Sequence, residues 1–181
     1  LRVAYADPPY IGWSGYYRKH PDYAGEVDHE ALIRRLSDEF SDGWALSCSS
    51  NSLRTLLPLC PEDARVLAWV KPFASFKPNI NPAYAWEPVI MRGGHCLTYR
   101  QGGTTVRDWL SEPMSMRKGL VGVKPDRFSF WLFEALGLTL EDELVDLFPG
   151  SGAVTRAWGL YREKLAGTPL DLQLTMASAE G

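Results

Sequence analysis

The sequence predicts a doubly wound α/β domain with a mostly parallel sheet, and three observations carry that expectation. Short apolar runs alternate with helix-patterned segments along the chain, the arrangement that builds a parallel sheet flanked by helices. Two of the runs, one at each end of the chain, pass through an aspartate into a tight turn, where open α/β sheets place their ligands. The length of 181 residues, with 45% hydrophobic and 23% charged residues, suits one domain, 1–181, with a sizeable core.

The first strand is Arg2–Asp7, and it runs straight into Asp7-Pro8-Pro9-Tyr10. Two prolines fix φ on consecutive residues and remove two backbone donors. Each also restricts the residue before it to extended conformations. The product is a stiff ledge that presents a carboxylate, main-chain carbonyls and an aromatic face together. Such a ledge suits a planar group with an exocyclic amine, whose two N–H bonds meet the carboxylate and a carbonyl while the ring stacks. An adenine or cytosine drawn out of its helix is such a group; a Pro-rich turn after a strand is the plainer alternative. Ile11–Asp28 follows, rich in Gly and aromatics and without a period, so a loop. It is either a surface flap or a lid over the target, with Tyr16 and Tyr17 stacking on bases and Arg18 and Lys19 meeting phosphate.

Asp28 caps a helix over His29–Phe40, with Leu32, Ile33, Leu36 and Phe40 as its apolar stripe and Arg34, Arg35, Asp38 and Glu39 facing water. Trp44–Cys48 is the second strand, and Ser50 or Asn51 opens a short helix through Leu59. Arg65–Val70 is a third strand and Trp86–Met91 a fourth. Lys71–Tyr84 between them holds three prolines and is not helical; it is an irregular connection or part of a substrate groove. The stretch 93–123 is the least regular and reads as a short substrate-contact insertion. Across 92–127 the cations Arg92, Arg100, Arg107, Arg117, Lys118, Lys124 and Arg127 outnumber Asp108, Glu112 and Asp126, a local excess in a chain of net charge −3. It is a solvated loop or a nucleic-acid contact surface through Arg107, Arg117 and Lys118. Phe128–Leu138 is a helix with Trp131, Leu132, Ala135 and Leu136 as its core face. Leu144–Phe148 is the last strand, followed by a helix from Ala153 to Leu165.

Between that strand and helix lies Asp146-Leu147-Phe148-Pro149-Gly150-Ser151-Gly152. Gly150 and Gly152 let backbone approach a ligand closely, and the helix start beyond them offers N–H donors. It is not the dinucleotide fingerprint, because Thr155 stands where a third Gly belongs, and no Gly-Lys-Ser/Thr follows as in a phosphate loop.

Rival chemistries have little support. The pI near 5.6 announces no global basic field for nucleic acid. His20, His29 and His95 lack metal-ligand spacing, no metal is expected, and no G-x-S-x-G elbow occurs. Cys48, Cys60 and Cys96 are an odd, scattered set that reads as reduced thiols of a cytoplasmic protein. No apolar run spans a membrane, no signal peptide is evident, and Leu1 in place of a start Met reads as a chain trimmed at its front.

Together the two end motifs resemble the S-adenosylmethionine-dependent amino-methyltransferases that act on adenine N6 or cytosine N4. In that family D-P-P-Y is the catalytic motif, and D-x-F-x-G-x-G, met by Asp146, Phe148, Gly150 and Gly152, lines the cofactor. The order here, catalytic motif first and cofactor motif last, resembles the permuted DNA methyltransferases. Trp69-Val70-Lys71-Pro72, the segment Tyr84–Met91 with Glu87, and Lys124-Pro125 before Phe128 are weaker matches in the expected order. The resemblance implies a Rossmann-like methyltransferase fold, catalysis by Asp7, Pro8, Pro9 and Tyr10, and cofactor contacts from Asp7, Lys124, Asp146, Phe148, Gly150, Ser151 and Gly152; a solvated lysine is the alternative for Lys124. Glu87 alone reads as an ion-pair partner on a strand. The D-P-P-Y spelling tilts adenine over cytosine, and DNA is placed ahead of RNA; RNA adenine methylation and a non-catalytic nucleic-acid-binding subunit are the alternatives. One departure stands out. The family follows its glycine loop with a strand ending in an acid for the cofactor ribose, and here only Asp171 or Glu180 could substitute. A trimmed sheet with weak cofactor affinity, or help from a second copy in a homodimer or a partner subunit, would follow from that.

Overall fold

The computed structural model describes residues 1–12, 14–17, 25–72, 79–95, 105–114 and 123–167. Among them six strands form one sheet: β1 (Arg2–Ala6), β2 (Gly43–Ser47), β3 (Arg65–Val70), β4 (Trp86–Gly93), β5 (Trp109–Ser111) and β6 (Glu143–Asp146), in the spatial order β5-β3-β4-β2-β1-β6. β1 pairs in parallel with β2 and β6, and β3 in parallel with β5. Only β4 is reversed, antiparallel to β2 and β3 on either side. The expected doubly wound, mostly parallel α/β fold is therefore the fold observed.

β1 lies between two strands and is buried from Val3 to Ala6. That explains why it reads as a continuous apolar run rather than an alternating one. Its successive side chains feed opposite layers. Val3 and Tyr5 pack with Trp69, Val89, Phe128, Leu132 and Leu136, under α3 (Asp126–Leu136) and α4 (Ala153–Leu165). Ala4 and Ala6 pack with Trp44, Leu46, Ile90, Ile33 and Leu36, under α1 (His29–Glu39) and the short helix α2 (Leu53–Leu56). Since α1 leads from β1 to β2 on one face while α4 leaves β6 on the other, the winding reverses between β1 and β6. A crevice at the carboxyl ends of the strands belongs at that reversal.

Local chemistry sets the helix ends. The Asp28 carboxylate accepts the N–H of Ala31 at 3.0 Å and caps α1. α3 stops at Gly137, whose φ of 67° lies in the left-handed region that favours glycine. Arg156 clamps α4 to α3 through Asp126 at 2.6 Å.

The sequence expectation for 93–123 changes in two places. β4 continues through Gly93, and β5 sits inside the stretch. Three residues give no readable period, and Trp109 is exposed on this edge strand, so its apolar character did not mark a buried position. Backbone pairing with β3 makes the strand, through register Trp69↔Leu110 and the Trp69 indole N–H donating to the Glu112 carbonyl at 2.8 Å.

Candidate active site

Asp7 follows the last residue of β1, and Asp146 is the last residue of the neighbouring β6. The two strands run in register, Tyr5 opposite Asp146, and the N–H of Leu147 donates to the Tyr5 carbonyl at 2.9 Å. Motifs from opposite ends of the chain therefore stand side by side at the carboxyl ends of adjacent parallel strands.

On the β6 side, Gly150 and Gly152 adopt left-handed φ of 48° and 72°. No side chain or backbone would obstruct a Cβ at Gly152, so the conformation rather than space calls for glycine there. Gly152 caps α4, its carbonyl accepting the N–H of Arg156 at 2.9 Å. The N–H groups of the first turn beyond it have no intrahelical acceptor. Asp146 binds the loop together, accepting from the Phe148 N–H at 3.3 Å and from the Thr155 hydroxyl at 3.2 Å. Burial raises its carboxyl, those two hydrogen bonds oppose the shift, and the charge of Asp7 adds to it.

On the β1 side, Pro8 is buried while Asp7, Pro9 and Tyr10 are partly exposed. Beneath the ledge lies a compact set of charges. Lys124, from the segment entering α3, is almost wholly buried and places Nζ 3.1 Å from Asp7 Oδ1 and 3.1 Å from Glu87 Oε2. Its third neighbour is the Tyr10 hydroxyl at 3.3 Å, which itself donates to Glu87 Oε2 at 3.0 Å. Lys71, just after β3, pairs with the other oxygen of Glu87. Burial and the charge of Glu87 raise the Asp7 carboxyl, against the opposing pull of Lys124. Burial would also raise Glu87, but the ammonium groups of Lys124 and Lys71 outweigh it and hold that carboxyl down to about 2. Burial alone would lower Lys124; the acidic groups of Asp7, Tyr10, Tyr5 and Glu87 carry it well above the ordinary lysine range instead.

The resemblance assigns Lys124 to the cofactor; in the structure its ammonium faces Asp7, Glu87 and Tyr10. The signal for Glu87 is present in the sequence. Strand alternation puts it on the same face of β4 as Val89 and Met91, so it is a carboxylate entering an apolar layer, where a buried partner is required.

The expected nucleic-acid contacts divide. Arg107 is exposed just before β5, its guanidinium 5.5 Å from the Trp109 ring centroid and its carbonyl accepting from the Trp131 indole. β5 is separated from β1 by three strands, roughly 19 Å at ordinary strand spacing, so Arg107 lies on the outer edge of the sheet and not beside the ledge. The backbone of Tyr16 and Tyr17 belongs to a short 3-10 turn, Ser14–Tyr17, shortly after the ledge. Their side chains, together with Arg18, Lys19, Arg117, Lys118 and the Asp171 and Glu180 alternatives, lie outside the described residues. Among the described residues no cluster of three or more His, Cys, Asp or Glu side chains is arranged to hold a metal, and no helix is long and apolar enough to cross a membrane.

Comparison with solved structures finds this architecture again. The crystal structure of the M1.HpyAVI–SAM complex superposes with a TM-score of 0.59 over 93% of this chain and 86% of that one, at 15% identity. A second crystal structure of M1.HpyAVI superposes with a TM-score of 0.55 over 88% and 77% of the two chains, at 16% identity. The fold is shared with M1.HpyAVI. No protein-family model and no curated relative matches the chain.

Proposed function

We propose that this chain transfers a methyl group from S-adenosylmethionine to the exocyclic N6 amine of adenine in DNA. The observation that carries this reading is the junction of β1 and β6, where the Asp7–Tyr10 ledge and the Asp146–Gly152 loop end adjacent parallel strands. The shared fold of M1.HpyAVI, crystallised in complex with SAM, supports it.

The residues present suit that cofactor. Left-handed Gly150 and Gly152 leave backbone N–H groups at the start of α4 for an anionic carboxylate, and Asp146 offers its own carboxylate to cationic groups. Gly150, Ser151, Gly152, Phe148 and Asp146 would hold it, and when bound it supplies the methyl group. The chain's own work lies at the amine. An exocyclic amine delocalises its lone pair into the ring. The Asp7 carboxylate and the Pro8 carbonyl accept its two hydrogens, draw the nitrogen toward tetrahedral geometry and free that lone pair. The Tyr10 ring holds the heterocycle by stacking, its hydroxyl tied to Glu87 before any target arrives. The gain is positioning plus electrostatics matched to developing positive charge. A strong base is unnecessary, because the amine becomes acidic on methylation and Asp7 already accepts its proton.

The test is transfer of labelled methyl to DNA and RNA, with identification of the modified nucleoside. Label in N6-methyladenine of DNA is the expected result. Label confined to RNA moves the substrate class, and no label in either, with nucleic acid still bound, leaves the binding-subunit alternative.

A further inference from the structure

We propose that Lys124 is a positioning residue for Asp7: its ammonium is a built-in counter-charge that keeps the ledge carboxylate ionised and aimed, and Glu87 and Lys71 hold that ammonium in place. This rests on the methyl-transfer reading above.

An ammonium has three donors. Those of Lys124 face Asp7 Oδ1 at 3.1 Å, Glu87 Oε2 at 3.1 Å and the Tyr10 hydroxyl at 3.3 Å, so each has an acceptor. With only 6% of its side chain exposed, Lys124 has little water to fall back on. The rings of Trp69 and Phe128 stand 5.3 and 5.6 Å from Nζ and complete an aromatic enclosure that favours a cation. Glu87 spends one oxygen on Lys71 and shares the other between Lys124 and Tyr10. Two carboxylates and two ammonium groups thus form a neutral set whose members come from β1, β3, β4 and the start of α3. A set of this kind contributes less to stability than well-packed apolar groups of the same size. Its position under the ledge gives it another use. The ionised carboxylate is the stronger acceptor for the target amine and the form that can take up its proton, and Asp7 is pushed toward its neutral form by burial and by Glu87. The other titratable groups that act on this set are Tyr5, Tyr10, Cys48 and Asp146. Of all these, Lys124 is the cation in direct contact with Asp7.

The experiment compares wild type with Lys124→Met, Lys124→Gln, Lys124→Arg and Glu87→Gln by two readouts. One is the pH profile of kcat/KM for methyl transfer. The other is the carbon-13 titration of the Asp7 carboxyl, assigned with Asp7→Asn, which needs no substrate. In Lys124→Met the Asp7 titration and the acid limb of the profile both move up by roughly one to three pH units. Activity is lost most at low pH and recovers as pH rises. Lys124→Gln, which keeps a donor but no charge, moves the same way and serves if the methionine variant does not fold. Lys124→Arg stays close to wild type, and Glu87→Gln moves the titration down, because a negative neighbour is gone. An Asp7 titration unmoved in the uncharged variants, with rates lowered equally at every pH, overturns the proposal. If wild type transfers no methyl at all, the proposed function falls, and the carboxyl titration still decides this inference.

Discussion

Tyr10 is tethered through its hydroxyl to Glu87 at 3.0 Å, so its two proposed tasks, presenting a ring and holding that ring still, separate by mutation. Tyr10→Ala removes both and should weaken target binding by about 1–3 kcal/mol, the scale of base–aromatic stacking. Tyr10→Phe keeps the ring and should mainly lower kcat, with Kd for the nucleic acid little changed. An unchanged Kd for Tyr10→Ala would mean that the ring touches no base. Asp7→Ala should abolish turnover while cofactor binding, followed by calorimetry, stays within a few-fold, since Asp7 grips the amine; wild-type rates in that variant would make the ledge a structural turn only. At this scale the sequence was readable where residues are neighbours. Two prolines stiffen Asp7 and Tyr10 whatever surrounds them. The partner of Asp7 was not readable, because Lys124 stands far along the chain and reaches the ledge only once α3 has packed against β1 and β3.

The ends of α4 and the inner strand β3 were legible for local reasons, whereas α3 begins and ends two residues earlier than the expected Phe128–Leu138, because its start follows Pro125 and Gly137 stops it. α4 runs from Ala153 to Leu165 and β3 from Arg65 to Val70, as the pattern predicts, because glycines bound the one and an unbroken apolar run makes the other. Strand direction left no such mark. β4 reads like any buried strand, and its reversal is set by which neighbours pair with it. β5 was missed because an edge strand of three residues is defined by pairing rather than by composition. Two substitutions test the local account by urea unfolding. Asp28→Ala deletes the cap on the Ala31 N–H and should cost about 1 kcal/mol. Gly152→Ala should cost roughly 1–2 kcal/mol through its φ of 72° alone, because the space for a Cβ is open. A neutral Gly152→Ala would show that the loop relaxes out of the left-handed region.

Charge placement governs how the whole molecule responds to acid and to salt. Glu87 is held down to about 2 from an ordinary 4.5, against the effect of burial, by the ammonium groups of Lys124 and Lys71. A carboxyl depressed on folding stabilises above its unfolded value and loses that contribution as pH falls through its folded one. With each unit worth about 1.4 kcal/mol, this amounts to on the order of 3 kcal/mol, lost between roughly pH 4.5 and 2. Glu87→Gln should therefore be markedly less stable than wild type at pH 7, and the gap in unfolding free energy should close as pH approaches 2. A gap constant with pH would mean that the loss comes from packing and not from charge. Salt probes the opposite sign of charge. The chain carries a net −3, so attraction to phosphate has to be local. Lys124 is buried against Asp7 and Glu87, so the remaining cations between Arg92 and Arg127 are the candidate source, and Arg107 stands exposed there, on the edge of the sheet away from Asp7. If that surface receives the duplex while the ledge receives a single base, Arg107→Gln, Arg117→Gln and Lys118→Gln together should flatten the slope of log K against log salt by about 0.9 per lost phosphate contact. The turnover of a short single-stranded substrate, which does not reach that edge, should change little. Equal losses on long duplex and short strand would place the contacts at the ledge, and an unchanged slope would return the stretch to a solvated loop.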